Sequence, residues 1–337
     1  MIKIPPHRPT QYDVARLAGV SQKTVSLVLT NNTTYSIPQE TRQKVLDAIA
    51  KLDYRPHRMA RGLRNNKTYT IASIIPDIAN PFYPTFLRGI QDVAETNNYN
   101  TIIYNTDGFA EKERQCLVSA TESQVDGIIG MFFHPASKDY LENTSIPIVE
   151  LGGTIILPNI DIVYIDCTEA ASAATTYLIQ KNHTRIGFIG GMPDTLPHQV
   201  RLEGYRQALK NHNLPSDEEL IRCGDFTEIG GYHAMRELLN LLPRPTAVFA
   251  ANDLMAMGAY QAIHEANLRI PDDIAVIGFD DIPAAKLLNP PLTTISQFQE
   301  KLGRRAAEML FERLSDMANE ESRMEKMPFE LIARAST

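Results

Sequence analysis

Residues 10–29 read TQYDVARLAGVSQKTVSLVL, and they predict two short helices joined by a tight turn. Thr10, followed three residues later by Asp13, is typical of a capping box at the start of a helix. Gly19 ends that helix, because glycine accepts the left-handed conformation of a C-cap at little cost. The residues at inward helical spacing are Val14, Leu17 and Ala18. The stretch therefore opens with an amphipathic helix that stops at the glycine.

A second helix is predicted over 22–29, with Ser21 as its cap. Its inward residues are Val25 and Val28. Helix, glycine turn and helix together predict a helix-turn-helix. A third helix follows over 38–52 and begins with a proline, which suits the first helical turn. Its predicted apolar stripe consists of Val45, Leu46, Ile49 and Leu52.

The N-terminal end of the second helix is the predicted DNA-reading end, because a helix-turn-helix enters the major groove there. Gln22 can read adenine through two hydrogen bonds, and Lys23 can reach guanine. Ser21 and Thr24, with the helix N-terminus, are placed to contact phosphate. The alternative is a solvated face of a small three-helix bundle. The turn chemistry and the local charge favour DNA binding.

Charge is distributed unevenly along the chain. The 337 residues carry a net charge of −7, which by itself argues against DNA binding. Residues 1–68, however, hold 12 Lys and Arg against 4 Asp and Glu, so this part carries +8 and the remainder −15. A basic head on an acidic body favours contact of the head alone with phosphate.

Residues 56–68 form a basic segment behind the head. Its cations recur every third residue and are Arg58, Arg61, Arg64 and Lys67. Leu63 stands among them, and an apolar side chain in this setting is typical of a wedge inserted into the minor groove. A short helix is predicted here on DNA. A flexible basic linker is the alternative off DNA, because one or two helical turns are marginal alone.

Length and composition bound the other possibilities. The chain is long enough for about two or three domains, and no apolar run is long enough to span a membrane. The N-terminus has no apolar signal core, so a cytoplasmic protein is expected. The three cysteines, Cys116, Cys167 and Cys223, are expected to be free thiols, and no metal or cofactor is expected. An enzyme would need a phosphate-loop, hydrolase or zinc motif that the sequence lacks, and a transport protein would need an export signal.

From Tyr69 onward, short β-rich runs alternate with helical stretches. Strands are predicted over 70–75, 101–105, 127–133, 147–151, 162–165, 185–190, 247–250 and 274–279, and helices over 84–97, 110–123, 170–181, 199–212, 254–266 and 300–314. This alternation predicts parallel sheets in two lobes, with ligands beyond the carboxyl ends of the strands. The polar residues that follow strands are Asp77, Asn80, Asn105, Asp107, Asn252, Asp253, Asp280 and Asp281.

Ordered motifs along nearly the whole chain carry a family resemblance. They are Tyr12-Asp13-Val14-Ala15, Ala18-Gly19-Val20-Ser21, Thr24-Val25-Ser26, Tyr54-Arg55-Pro56, Arg61-Gly62-Leu63, Asn80-Pro81-Phe82-Tyr83, Ala251-Asn252-Asp253, Ala256-Met257-Gly258-Ala259, Gly278-Phe279-Asp280-Asp281 and Pro291-Leu292-Thr293-Thr294-Ile295. The sequence resembles the LacI/GalR family of bacterial repressors. The resemblance implies an all-α helix-turn-helix head, a hinge helix that forms on DNA, and an α/β sensor like a periplasmic binding protein. The implied domains are 1–55, 56–68 and 69–337, with an N-lobe of about 69–167 and 299–327 and a C-lobe of about 168–298 and 328–337.

The resemblance also assigns site residues. Contacts to DNA are expected from Thr10, Tyr12, Ser21, Gln22, Lys23, Thr24, Ser26, Arg58, Ala60, Arg61 and Leu63. Contacts to an effector are expected from Asp77, Phe82, Tyr83, Arg201, Phe226, Asn252 and Asp280. The alternative is that Asn252 and Asp280 cap helices and that Arg201 pairs with an acid. The sequence departs from the family at Leu27, where many members have a base-reading arginine, and at Gly152, where some have a ligand-binding carboxylate.

The implied function is ligand-controlled, sequence-specific DNA binding. The chain is expected to repress carbohydrate-use genes as a homodimer on a near-palindromic operator, since a single head buries too little DNA for specificity. A neutral mono- or disaccharide is the expected effector, because planar carboxylate, amide and guanidinium groups clamp adjacent hydroxyls. A nucleoside, purine or sugar phosphate is the alternative. The ligand is expected to release repression, and corepression is the alternative.

Overall fold

The computed structural model describes residues 9–29, 36–55, 67–134, 137–153, 156–315 and 321–337. Contacts divide the chain into two compact units, Met1–Thr68 and Tyr69–Thr337. The predicted hinge contacts Arg58, Ala60, Arg61 and Leu63 lie outside the described residues. Of the helices in the described part of the chain, none combines the length and the apolar character that a bilayer crossing needs.

The described part of the first unit contains α1 (Gln11–Ala18), α2 (Gln22–Leu29) and α3 (Gln39–Leu52). The predicted capping box is present, because the Asp13 amide donates to the Thr10 hydroxyl and the Thr10 amide donates to the Asp13 carboxylate. Gly19 ends α1 in the left-handed conformation, with φ 67°. The Ser21 hydroxyl accepts from the Thr24 amide at the start of α2. The prediction of a helix-turn-helix is confirmed.

The helices of the first unit pack around one apolar core. Its buried residues are Val14, Ala15, Val25, Val28, Val45, Ala48 and Leu52. The prediction that Leu46 faces inward is wrong, since its side chain is 44% exposed. Leu46 lies about 160° around the helix from the buried Ala48, so its side chain points away from the core. Ala48 takes the inward position.

Strands and helices alternate along the second unit. Its strands are β1 (Thr70–Ile75), β2 (Asn100–Asn105), β3 (Gly127–Gly130), β4 (Ile148–Leu151), β5 (Ile160–Tyr164), β6 (Ile186–Gly190), β7 (Ile221–Cys223), β8 (Ala247–Ala250), β9 (Ala275–Ile277), β10 (Thr294–Ser296), β11 (Met324–Lys326) and β12 (Glu330–Ile332). Its helices are α4 (Phe82–Thr96), α5 (Ala110–Glu122), α6 (Lys138–Glu142), α7 (Cys167–Gln180), α8 (Leu196–Asn211), α9 (Glu228–Leu239), α10 (Asp253–Glu265) and α11 (Gln299–Leu314).

Two parallel sheets organise these elements into two lobes. The first lobe is built on the sheet with strand order β11-β5-β4-β3-β1-β2, and the second lobe on the sheet with order β7-β6-β8-β9. β10 pairs antiparallel with β12 beside the second sheet. The chain enters the second lobe after β5, returns to the first after β10, and leaves it again after β11. The predicted α/β fold with parallel sheets is confirmed.

Helices cover both faces of the first sheet. On β1, Ile71 and Ile75 face a core shared with α4 and α11, whereas Ala72 and Ile74 face a core shared with α5. Successive side chains of a strand point to opposite faces, so an almost unbroken apolar strand suits a sheet buried on both sides. This arrangement leaves the strand ends as the open part of each sheet.

The predicted elements of the second unit are all present, with ends that shift by at most three residues. The strand predicted over 127–133 is too long, because β3 ends at Gly130 and the Phe133 amide donates to the Glu113 carboxylate at 2.7 Å. The elements that the sequence did not predict are α6, α9, β7, β10, β11 and β12. Most of these are short, and their pairing partners lie far away in sequence.

Asp161 on β5 fastens two segments near the C-terminus to the first lobe. Its buried carboxylate accepts from Arg313 of α11 at 2.6 and 2.7 Å and from Arg323 at 2.6 Å. Burial raises the pKa of Asp161, but the hydrogen bonds from both arginines outweigh burial and leave the pKa below its ordinary value. The interaction therefore contributes stability at neutral pH that is lost as the pH falls through the folded-state pKa.

Replacing Asp161 with asparagine is expected to destabilise the protein by about 3 kcal/mol, because two arginines would lose their buried counter-charge. The value is at the low end for a buried pair, since the Arg323 side chain is 30% exposed. Thermal unfolding at pH 7 measures the change. Asp272→Asn is the matched control, because the Asp272–Arg269 pair is exposed and its loss costs about 1 kcal/mol or less. Equal unfolding midpoints for both variants would contradict the role of Asp161.

Candidate functional site

The carboxyl ends of both parallel sheets open onto one cavity between the lobes. The cavity has a volume of about 370 Å³, which is typical of small-molecule sites. It is lined by all the predicted effector contacts, namely Asp77, Phe82, Tyr83, Arg201, Phe226, Asn252 and Asp280. Asn80 and Asp107, two further strand-end candidates, also line it. The fold therefore brings side chains from both lobes to one place.

Arg201 and Asp280 form a charged pair on the wall of the second lobe. The guanidinium lies 3.9 Å from the Asp280 carboxylate, donates to the Ala251 carbonyl at 2.5 Å, and packs 4.1 Å from the centre of the Phe279 ring. The Arg201 side chain is 10% exposed, and its Nε has no hydrogen-bond acceptor among the described residues. The pair presents a donor group and an acceptor group side by side to the cavity.

Asp280 is held in an unusual backbone conformation, with φ 119°. Gln297 donates to its carboxylate at 2.6 Å, and Gln299 donates to its backbone carbonyl. Burial raises the pKa of Asp280 to about 7, although Arg201 and Gln297 act in the opposite direction. Strained residues persist where the surrounding structure over-determines them, and they cluster at ligand clamps. The carboxyl group therefore titrates near neutral pH within the cavity.

Asn252 has a structural role as well as a place on the cavity wall. Its Oδ1 accepts from the Met255 amide at 2.9 Å and caps α10, which bears out the helix-capping alternative for this residue. Its Nδ2 donates to the Phe226 carbonyl at 2.9 Å. One amide N–H and one oxygen lone pair remain for a ligand.

Aromatic rings from both lobes face the cavity. Phe133 of the first lobe and Phe226 of the second lie 6.2 Å apart between ring centres. Phe82 and Tyr83 meet edge to face at 5.1 Å on the wall of the first lobe. Burial raises the pKa of Tyr83 far above its ordinary value, so its hydroxyl stays protonated. These rings can cover the apolar side of a ligand.

Further lining residues were not among the predicted contacts. They include Phe133, Cys167, Met192, Asp225 and Gln297. Phe133, Met192 and Asp225 follow β3, β6 and β7, so the strand-end rule could have indicated them. Cys167 and Gln297 lie where the chain crosses between the lobes, and no local pattern marks such a position. The thiols of Cys116, Cys167 and Cys223 are free, as predicted.

Three strand-end candidates do not line the cavity, and they are Asn105, Asp253 and Asp281. Asp253 is fully buried and accepts from the Ile282 amide at 2.8 Å. Asp281 pairs with Arg334 at 2.6 Å. In the two adjacent pairs, Asn252-Asp253 and Asp280-Asp281, the first residue lines the cavity and the second does not. These carboxylates fix the segments that carry the cavity residues.

The predicted DNA contacts of the head are mostly accessible. The exposed ones are Thr10, Tyr12, Ser21, Gln22 and Lys23, and the half-buried ones are Thr24 and Ser26. The first turn of α2 begins at Gln22, and the N-terminus of a helix attracts phosphate. Leu27 is half-buried. The start of α2 can thus meet DNA without unfolding.

A helix-turn-helix unit followed by a two-lobed unit with a ligand-sized cavity defines a ligand-controlled, DNA-binding transcription regulator. Comparison with family models supports this class. Residues 10–57 match the bacterial regulatory proteins of the lacI family, and residues 175–337 match the periplasmic binding protein-like domain.

Comparisons with individual proteins identify the family. The ribose operon repressor of Escherichia coli is 38% identical over 97% of this chain and 99% of its own length. The crystal structure of the Lac repressor bound to ONPG has a TM-score of 0.88 at 26% identity, covering 98% of this chain and 100% of that chain. A LacI family regulator from Enterococcus faecium with bound ribose has a TM-score of 0.71 at 30% identity, covering 80% of this chain and 98% of that chain. The chain belongs to the LacI family of bacterial regulatory proteins, which confirms the resemblance inferred from its motifs.

Proposed function

We propose that this chain is a homodimeric repressor of carbohydrate-use genes, and that a neutral sugar in the cavity controls its affinity for a near-palindromic operator. The charge of the cavity carries the proposal. Among the described residues that line the cavity, Arg201 is the one cation, and Asp280 already lies beside it. A phosphate group would need cations whose charge is not already neutralised by a neighbouring carboxylate. Adjacent hydroxyls suit the amide, carboxylate and guanidinium groups that are present.

The arrangement supports control by binding rather than catalysis. Asp77 comes from the first lobe and Arg201 and Asp280 from the second, so a ligand that touches all three favours one arrangement of the lobes over another. A coupling of about 1–3 kcal/mol between effector and operator binding is enough for regulation. The effector leaves chemically unchanged, and the protein acts in the cytoplasm, where its DNA lies.

The test uses purified protein and the upstream region of its own gene. The ribose operon repressor and the ribose-bound regulator support D-ribose as the first probe. Gel shifts at several salt concentrations would compare D-ribose, D-glucose, cellobiose, ribose 5-phosphate, guanine and guanosine. We expect binding that weakens with salt and a change of about tenfold or more with one neutral sugar. A response to ribose 5-phosphate, guanine or guanosine alone would contradict the proposal that the effector is a neutral sugar. DNA binding without salt dependence would contradict the proposal that the chain is a DNA-binding regulator.

Affinity for the effector sugar is expected to fall as the pH drops below about 7, the pKa of Asp280. An ionised carboxylate accepts two strong hydrogen bonds from hydroxyls, whereas protonation removes the charge and one acceptor. The loss approaches about tenfold for each pH unit below the pKa. The folding stability of the unliganded chain depends on pH in the opposite direction. Because the pKa of Asp280 is raised, this carboxyl group makes folding stability decrease as the pH rises towards 7. Calorimetric titration between about pH 5.5 and 8.5 measures the effect, and a constant affinity would exclude Asp280 as the acceptor.

A further inference from the structure

Phe226 lies on a strained loop that several contacts hold in place. Its backbone has φ 67°, a left-handed conformation that a bulky residue rarely adopts. Asn252 donates to its carbonyl at 2.9 Å. On either side of it, the Asp225 carboxylate accepts from the Thr227 amide at 2.9 Å, and the Thr227 hydroxyl accepts from the Gly230 amide at the start of α9. The loop is therefore built to present this ring in one position.

Gly191, directly after β6, lies against the tip of that ring. A Cβ atom built on Gly191 would lie 2.0, 2.2 and 2.3 Å from three ring carbons of Phe226, and these are its nearest neighbours. The backbone of Gly191 is outside the left-handed region, so the main chain itself would accept alanine. The missing side chain thus serves one purpose that the structure shows, which is to make room for Phe226.

The Phe226 ring also lines the cavity and neighbours the Phe133 ring of the first lobe. The two ring centres are 6.2 Å apart, and Phe133 is anchored because its amide donates to the buried Glu113 carboxylate at 2.7 Å. A methyl group at position 191 would displace the Phe226 ring from the end of β6, and this ring is part of the cavity wall. The space lost would be space inside the cavity.

We propose that Gly191 determines effector size by acting through Phe226. It is a positioning residue, since the three atoms nearest to its missing side chain belong to the Phe226 ring. With glycine, the ring rests against the end of β6 and the cavity keeps its full width. With any larger residue, the ring is displaced and the larger sugars are excluded before the smaller ones. The inference rests on the proposed function, because it takes a sugar to be the occupant of the cavity.

Gly191→Ala is expected to weaken sugar binding by about 10- to 200-fold, the effect of one methyl group in a closely fitting pocket. The loss should be greater for cellobiose than for D-ribose. Calorimetric titration of the full chain with both sugars measures affinity, and gel shifts without sugar measure operator binding, which should not change. Gly187→Ala is the matched control on the same strand, because its new methyl group would meet Leu238 and Val248 at 3.0 and 3.3 Å in the core. It should leave sugar affinity as it is.

A double-mutant cycle separates positioning from general damage. If Gly191 acts through Phe226, then alanine at 191 should have little further effect in a Phe226→Ala background. Equal effects of Gly191→Ala in both backgrounds would overturn the inference. So would a Gly191→Ala protein that binds cellobiose and D-ribose like the wild type, and this result would leave the proposed function standing.

A readout without sugar distinguishes the two proposals. The chain can be labelled with fluorophenylalanine, and the resonance of Phe226 is the one that Phe226→Ala removes. We expect Gly191→Ala to shift this resonance and Gly187→Ala to leave it in place. If the wild-type chain bound no sugar, the proposed function would be wrong and the fluorine spectrum alone would decide: a shifted Phe226 signal supports the positioning role, and an unshifted one overturns it.

Discussion

Replacing Arg201 with alanine is expected to abolish the response to effector while leaving operator binding unchanged. Arg201 offers the cavity a charged, planar donor group, and it is the nearest counter-charge to the Asp280 carboxylate at 3.9 Å. Two charge-assisted hydrogen bonds to a ligand are worth about 1.5–3 kcal/mol each, so effector affinity should fall by about 100-fold or more. Without Arg201, the pKa of Asp280 would rise further, because the arginine now lowers it. The acceptor of the pair would then be mostly protonated at pH 7.

Arg206→Ala provides the comparison for this prediction. Arg206 lies on the same helix, α8, but it is 40% exposed and pairs with Glu218 away from the cavity. Calorimetric titration with the active sugar and gel shifts with and without it should show a loss for Arg201→Ala alone. An Arg201→Ala protein that still responds to sugar would refute the placement of the effector, whatever its operator affinity.

Several of the cavity residues could be predicted from the sequence, because two independent features indicate them. Asp77, Asn252 and Asp280 follow strands of parallel sheets, and the carboxyl ends of such strands converge on one edge. Family motifs then separated Asp280 from its neighbour Asp281, which the strand-end rule alone could not do. Gln297 escaped both features. Its importance comes from a hydrogen bond to a carboxylate 17 positions away, and only the folded chain brings those groups together.

Helix α9 shows why part of the fold could not be predicted from local sequence. Its first turn contains Gly230 and Gly231, and glycine within a helix costs up to about 1 kcal/mol relative to alanine. The structure shows a reason for the second glycine, since a Cβ atom on Gly231 would lie 2.2 Å from the Met255 carbonyl oxygen of α10. Likewise, a Cβ atom on Gly258 of α10 would lie 1.9 Å from the Glu228 carbonyl oxygen of α9. Close packing of two backbones requires residues that a single helix would avoid.

The fragment 69–337 is expected to bind the effector sugar normally and to lose operator binding by about a thousandfold or more, the usual margin between specific and non-specific binding. The head that it lacks carries +8, whereas the fragment carries −15. Phosphate attraction depends on cations that release counterions from DNA, so the fragment should also lose the salt dependence. Residues Tyr69–Thr337 form a compact unit by their own contacts, which supports folding of this part alone. Calorimetric titration with sugar and gel shifts with operator measure both properties.

A full-length control tests whether the loss of operator binding is due to the loss of contacts made by the N-terminal end of α2. Lys23→Ala in the intact chain keeps the head and most of its positive charge, so it should lower affinity for the operator while keeping binding that weakens with salt. A fragment that bound operator as tightly as the intact chain would place the DNA contacts in the acidic unit. Such a result would require a surface that attracts phosphate against a net charge of −15, and it would remove the physical basis for assigning DNA recognition to the first unit.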